Sequence, residues 1–388
     1  MVSNAIVIGG GIGGLAVAAA LGQRGVAVTL LEQAPAIAEV GAGLQVSPNG
    51  LAVLRALGVE SALVSRGAVR GQAVVLRNGG DGAQVARLDL ARLRKDQPYY
   101  FMHRADLVDV LAGAAKRANV SFETSAQVAS IRPGPLPQVQ MSDGGTRRAE
   151  LVVAADGIHS VARPVLNGAD KAVFSGQVAW RAVVPNSFGH PDEAHVHMGP
   201  GCHLVSYPMR AGRVVNVVAV EEREDWAAEG WNHPGDPLEM KRAFACLGGM
   251  AAEMVSAVAD VTVWGLHLHP VAEVWEREGV ALLGDAAHPT LPFLAQGANM
   301  ALEDAWVLAK TLAGGGDLAA YQQARRKRVV RVIKAAEKNA WRYHLRPGVM
   351  RSVSHLGLKV MSRVAPGRMI GAFDWLYGVD VTKGAHRR

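Results

Sequence analysis

Ala5-Ile6-Val7-Ile8-Gly9-Gly10-Gly11-Ile12-Gly13-Gly14-Leu15-Ala16-Val17-Ala18-Ala19-Ala20-Leu21 opens the chain, and its reading decides the fold. Four apolar residues form a buried strand, the glycines a turn, and the following apolar run a helix. Gly9, Gly11 and Gly14 stand at G-x-G-x-x-G spacing, with Gly13 inside it. That spacing serves a tight turn, close backbone approach to a pyrophosphate, and close helix–strand packing. The helix N-terminus adds unpaired N–H groups and the positive end of a dipole. About twenty residues on, Val28-Thr29-Leu30-Leu31-Glu32 reads as a second strand ending in an acid placed to accept from ribose hydroxyls. The pattern marks a dinucleotide site but leaves open which dinucleotide, since nicotinamide and flavin proteins share it.

A second segment far along the chain, Leu283-Gly284-Asp285-Ala286-Ala287-His288-Pro289, follows another buried strand, Gly279–Leu283. Between these two ends the texture changes. Gln72–Leu90 alternates around Asn78–Gly82 as a hairpin, and residues 177–184, 195–198, 203–207, 214–220 and 261–268 read as antiparallel strands. A helix is expected over 238–254, and helices from Gly297 onward. The expected architecture is α/β: a Rossmann-like dinucleotide-binding domain (1–72, 97–172 and 272–324) interleaved with an antiparallel-sheet substrate domain (73–96 and 173–271), then a C-terminal helical segment (325–388).

At 388 residues and 49% hydrophobic, the chain is long enough for two cored domains. No apolar run reaches the ~18 residues of a membrane span, and the first apolar run belongs to the strand before the glycines, not to a signal segment. Two cysteines, Cys202 and Cys246, lack metal-ligand or redox spacing, which suits a reducing cytoplasm and no metal site. The charge of +7 is uneven. Residues 325–388 hold 16 Lys/Arg and 3 Asp/Glu, a net +13, against −6 over the rest. Because that basic tail carries helical apolar spacing and aromatics (Trp341, Tyr343, Phe373, Trp375, Tyr377), it reads as a solvated helical face, with attraction of an anionic substrate as the alternative, rather than a nucleic-acid surface.

Three motifs in order carry a resemblance. They are the glycine loop with Glu32, then Ala155-Asp156-Gly157-Ile158-His159-Ser160-Val161-Ala162-Arg163, then Gly284-Asp285-Ala286-Ala287-His288-Pro289 continuing to Gln296-Gly297-Ala298-Asn299. Weaker echoes lie at Glu39–Asn49, His103–Leu107 and Trp375–Gly378. Over nearly its whole length the chain resembles the single-component aromatic-ring flavoprotein monooxygenases, in particular the salicylate, hydroxybenzoate and hydroxynicotinate hydroxylase branch. The resemblance implies FAD as cofactor, NADH or NADPH and O2 as cosubstrates, and a small phenolic or heteroaromatic carboxylate hydroxylated through a flavin C4a-hydroperoxide.

For the cofactor, the resemblance implies Gly9, Gly11, Gly13, Gly14 and Glu32 at the adenosine end, Val128 at adenine, and Arg104 at the pyrophosphate or ribityl chain. It further implies Asp156, Gly284 and Asp285 along the ribityl chain, and Gly297, Ala298 and Asn299 at the flavin ring, with Gln45 as a weaker contact. On the substrate side, period-two alternation places His203, Val205 and Tyr207 on one face of their strand. His203 is the expected base or phenolate partner, Tyr207 positions the ring, and Gln296 is a hydrogen-bond donor to substrate or peroxide. His288 reads as a packed structural histidine. An NAD-dependent dehydrogenase and a non-catalytic flavin-binding module are the rival readings, and monomer and homodimer both remain open.

Overall fold

The computed structural model describes residues 2–37, 42–94, 96–169, 172–226 and 233–383, apart from the side chains of 339–342. Of the sequence echo at Glu39–Asn49, Glu39, Val40 and Gly41 lie outside the described residues.

The opening apolar run is the centre of a six-stranded sheet. In spatial order its strands are Glu276–Arg277, Val280–Leu282, Leu151–Ala154, Asn4–Ile8, Ala27–Leu31 and Ser121–Glu123. All pair in parallel except the Glu276–Arg277 edge. Strands buried on both faces lose the alternation of half-exposed ones, which is why Ala5–Ile8 and Val280–Leu282 are wholly apolar. Val153 pairs with Val7 on one side and Ala281 on the other, so the late strand returns to the sheet begun at the N-terminus. The helix Ile12–Gly22 packs between the helices Arg104–Arg117 and Gly297–Ala313.

The second unit is an eight-stranded sheet in the order His233–Pro234, Thr262–Leu268, Val173–Pro185, Val214–Glu222, Cys202–Met209, Glu193–Gly199, Ala73–Asn78 and Gln84–Asp89. The hairpin 73–89 thus joins strands a hundred residues downstream, through the parallel pair Val75↔His195. One face of this sheet (Val178, Trp180, Leu204, Val217) buries against Met240, Phe244 and Met254.

The single helix expected over 238–254 is two, Pro237–Ala243 and Met250–Ser256. The break falls at Gly248-Gly249. A side chain at Gly248 would strike the Gly80 carbonyl, and Gly249 takes a φ of +58°, so the chain turns where a helix could not continue.

After Gly297–Ala313 the chain runs through Leu318–Tyr343, which packs on it, to Val349–Val364, which lies along the edge strand Gln84–Asp89. No helix among the described residues is long and apolar enough to cross a membrane.

Candidate active site

The carboxyl ends of four parallel strands deliver Gly9, Glu32, Asp156 and Gly284 to one place, where an open parallel sheet binds its ligands. They line a single cleft of about 350 Å³ together with Gly10, Gly11, Gly13, Arg104, Val128, Gly157, Asp285, Gly297 and Ala298. Two segments separated by most of the chain therefore share one cavity.

Each glycine has its own physical reason. Gly9 takes a φ of +99°, and a Cβ there would sit 2.5 Å from the Ala155 carbonyl oxygen. Gly14 has no room either, since its Cβ would strike the Gly9 carbonyl, and Gly13 would meet Leu283 Cδ2 at 2.7 Å. These three let the helix press onto both strands. Gly11 differs, because a Cβ there would meet no atom of the described residues within 4 Å. Its bareness faces the cleft and is not required by packing.

Glu32 is turned onto the loop. Its Oε2 accepts from the Gly10 N–H at 2.6 Å and its Oε1 from the Ala34 N–H at 2.8 Å. The carboxylate thus fixes the turn as well as lining the cleft. Asp156 accepts from the Val161 N–H at 2.9 Å through Oδ2, while its buried Oδ1 has no hydrogen-bond partner among the described residues. Burial pushes this carboxyl above its usual range, against the pull of the nearby Ser160 hydroxyl and the Val161 N–H. An unsatisfied buried acceptor calls for a donor from a ligand.

Other expected residues do not line the cleft. Asn299 spends its amide on the scaffold: Oδ1 accepts from the Ser47 N–H at 3.1 Å, and Nδ2 donates to the carbonyls of Gln45 and Ala295. The Gln45 side chain accepts from the Tyr99 hydroxyl at 2.8 Å. Gln296 is buried, donating to Ser47 Oγ at 3.0 Å and accepting from Asn49 Nδ2 at 3.1 Å. Both ends of its amide are engaged inside the protein.

Those contacts belong to a buried polar chain that gives the late motif its length. Asn49 donates to Glu303 at 2.6 Å, Arg325 bridges Glu303 at 2.5 Å and Asp304 at 2.6 Å, and Asp304 meets His288 Nε2 at 2.5 Å. Burial alone would neutralise Glu303 and Asp304, but Arg325, with Arg328 and His288, holds both below the usual carboxylate range. His288 also packs on Trp275, 5.0 Å between rings. The sequence displayed Glu303 and Asp304 within the motif without showing their partner, because Arg325 comes from the next helix.

On the eight-stranded sheet, His203 and Tyr207 share the face turned toward the nucleotide-binding unit, and Cys202 and Leu204 point the other way. Tyr207 packs on Phe101 at 5.3 Å. His203 packs on Phe293 at 5.5 Å, three residues before Gln296 and the helix that lines the cleft. Its Nδ1 lies 2.6 Å from Nε2 of His344, whose Nδ1 lies 3.2 Å from Glu222 Oε1. Burial lowers the pKa of both histidines and raises that of Tyr207, so all three are neutral near pH 7. His344 was not visible as a site residue because it caps a helix 141 positions away.

A parallel α/β sheet whose strand ends share one cleft, interleaved along the chain with an eight-stranded sheet, defines the class of protein. The FAD binding domain family matches residues 3–336, and the chain belongs to that family of FAD-binding proteins. It is 35% identical to 3-amino-4-hydroxybenzoate 2-monooxygenase PtnB3 of Streptomyces platensis, covering 96% of this chain and 95% of that one. It is 34% identical to 3-hydroxybenzoate 6-hydroxylase of Polaromonas naphthalenivorans, covering 97% and 96%. Among solved structures, Klebsiella pneumoniae HpxO complexed with FAD and uric acid superposes with a TM-score of 0.83 at 25% identity, covering 98% of this chain and 97% of that one. These relatives are aromatic-ring monooxygenases and an FAD protein of the same two-unit fold.

Proposed function

We propose that this chain is an NAD(P)H- and O2-dependent flavoprotein hydroxylase of a small aromatic carboxylate, phenolic or heteroaromatic. The observation that carries this reading is the single cleft shared by the glycine loop and the Gly284-Asp285 segment, beside a sheet face bearing His203 and Tyr207. FAD supplies the redox and oxygen-activating chemistry that side chains cannot.

The cradle fits that cofactor. Gly11 leaves its backbone bare to the cleft, and Asp156 holds an unsatisfied acceptor there. In this reading Gly9–Gly14 and Glu32 hold the adenosine end, Val128 lies at the adenine, Arg104 faces the pyrophosphate, and Asp156 and Asp285 accept from hydroxyls. The helix Gly297–Ala313 begins at the cleft, so its N-terminal dipole end favours negative charge on a bound ring.

His203 and Tyr207 form the substrate wall. A neutral His203 whose Nδ1 is occupied by His344 has Nε2 left to take a phenol proton, and a Tyr207 kept protonated by burial donates to a ring substituent. Gln296 and Asn299 position the start of the cleft-lining helix from behind.

The test is an NADH-oxidation screen of flavin-loaded protein against hydroxybenzoates and hydroxypyridine carboxylates, with products identified by mass. Oxidation stimulated by one acid, with a product 16 Da heavier or a decarboxylated phenol, is expected. A colourless protein that binds NAD tightly would establish the dehydrogenase instead, and NADH use indifferent to every acid the non-catalytic module.

A further inference from the structure

The two thiols of the chain, 44 positions apart and without redox spacing in the sequence, meet in the fold. Cys202 Sγ lies 3.4 Å from Cys246 Sγ, and the chain has no other cysteine. Cys202 is buried at the start of the strand Cys202–Met209, on the face turned to Phe244 and Leu247. Cys246 is exposed in the turn between the helices Pro237–Ala243 and Met250–Ser256. One sulfur is therefore open to solvent and its neighbour is not.

The turn that carries Cys246 is firmly seated. Leu247 reaches between Gly79 and Gly199, where a Cβ at either glycine would meet its Cδ2, at 2.8 and 3.3 Å. The Gly248 N–H donates to the Gly79 carbonyl at 2.8 Å. Gly199 also makes room for the buried thiol, since a Cβ there would come within 2.7 Å of Cys202 Sγ. Packing thus holds the two sulfurs in contact between sheet and helices. A disulfide bond is about 2.05 Å long, so closing it takes an approach of little more than about 1 Å.

We propose that Cys202 and Cys246 are a covalent modification site, a thiol pair that hydrogen peroxide closes to an intramolecular disulfide. The Cys246 thiolate attacks one peroxide oxygen and the O–O bond breaks. The departing hydroxide takes a proton from solvent and leaves as water, and Cys246 becomes a sulfenic acid. The Cys202 sulfur then attacks the Cys246 sulfur, the S–O bond breaks, and the Cys202 proton departs with the hydroxyl as a second water. The two sulfurs lose two electrons and the peroxide gains them. Burial, reinforced by Cys246, raises the Cys202 thiol above its ordinary range, so Cys202 waits as a thiol and the exposed Cys246 reacts first. A flavin hydroxylase that consumes NADH and O2 without hydroxylating releases hydrogen peroxide; for this source of oxidant alone, the inference rests on the function proposed above. Dithiol reductants of a reducing compartment reopen the bond. While closed, it fastens the turn to the residue beside His203 and stabilises the fold by closing a long loop.

The experiment is intact-mass analysis of the full-length flavin-loaded protein exposed to a small excess of hydrogen peroxide, quenched with catalase, denatured and alkylated with N-ethylmaleimide. The expected product is a single chain lighter by two hydrogens with neither cysteine alkylated, returned to two alkylated cysteines by dithiothreitol. Its melting temperature is expected to lie several degrees above that of the reduced protein. Cys202→Ser is expected to stop at a Cys246 sulfenic acid captured by dimedone, and Cys246→Ser to leave Cys202 unoxidised with hydroxylation rates unchanged. The wild-type masses decide the matter whether or not either variant folds. Stepwise addition of oxygen to Cys246 with Cys202 still alkylated, a disulfide joining two chains, or two intact thiols after excess peroxide would each overturn the proposal. Because the peroxide is added from outside, failure of the thiol pair and failure of the hydroxylase reading are told apart.

Discussion

His203 and His344 are joined ring to ring, Nδ1 of the first lying 2.6 Å from Nε2 of the second, and Glu222 stands behind His344 at 3.2 Å. Gln177 Nε2 also stands 3.4 Å from His344 Nδ1; with the nearer Glu222 carboxylate as its partner, His344 Nδ1–H donates to Glu222 and His203 Nδ1–H donates to His344 Nε2. That assignment leaves His203 Nε2 as an acceptor.

Replacing His203 by alanine is therefore expected to lower kcat for aromatic hydroxylation by about 100-fold with flavin content unchanged. Glu222→Gln is expected to have a smaller effect and to change the pH profile of kcat, because it weakens the acceptor that fixes the tautomers. Steady-state rates from pH 6 to 9 check both. Loss of flavin in His203→Ala would make that residue structural.

The glycines of the cradle are expected to separate by role. Gly11→Ala adds a methyl group that meets no atom of the described residues within 4 Å, so the melting temperature of the flavin-free protein should hold while FAD affinity falls at least tenfold. Gly14→Ala drives a methyl group into the Gly9 carbonyl and should destabilise the fold itself. Flavin fluorescence titration beside thermal melts distinguishes them, and equal behaviour of the two variants would refute the assignment.

Arg325 is the only cation that touches both Glu303 and Asp304 among the described hydrogen bonds and ion pairs. Arg325→Met should cost about 3–5 kcal/mol in urea unfolding, because it strands two buried carboxylates with incomplete compensation. The lowered pKa values of Glu303 and Asp304 fix the sign of their pH dependence. Their stabilisation is present above the unfolded carboxylate range and disappears as pH falls through the lower folded values.

A second acid-sensitive element lies in the strand Glu193–Gly199. Burial lowers His195 to about 4 and His197 to about 3. Their folded pKa values lie below the unfolded one of about 6.5, so the unfolded chain binds protons first and stability falls as pH drops below that value. At pH 5 each histidine should cost about 2 kcal/mol relative to pH 7. Neither ring nitrogen of His197 has a hydrogen-bond partner among the described residues, so His197→Leu should leave stability at pH 7 nearly unchanged or raised and should reduce the pH slope. Urea unfolding at pH 5 and 7 measures both effects, and an unchanged slope in the variant would exclude His197 as a source.

What the sequence determined was whatever depends on local order: the strand–glycine–helix turn, the apolar runs buried on both faces, and the alternation that puts His203 and Tyr207 on one side of a strand. These follow from the periodicity of the backbone and from the absence of a Cβ at particular glycines, and they are legible in the residues alone. Tertiary structure alone decided which distant groups meet. It spent the amides of Gln296 and Asn299 on Ser47, Asn49 and the Gln45 carbonyl, placed Arg325 between Glu303 and Asp304, broke one expected helix at Gly248-Gly249, and brought His344 to His203. A buried polar group takes the partner that packing sets beside it, and that choice depends on the path of the whole chain rather than on neighbours in sequence.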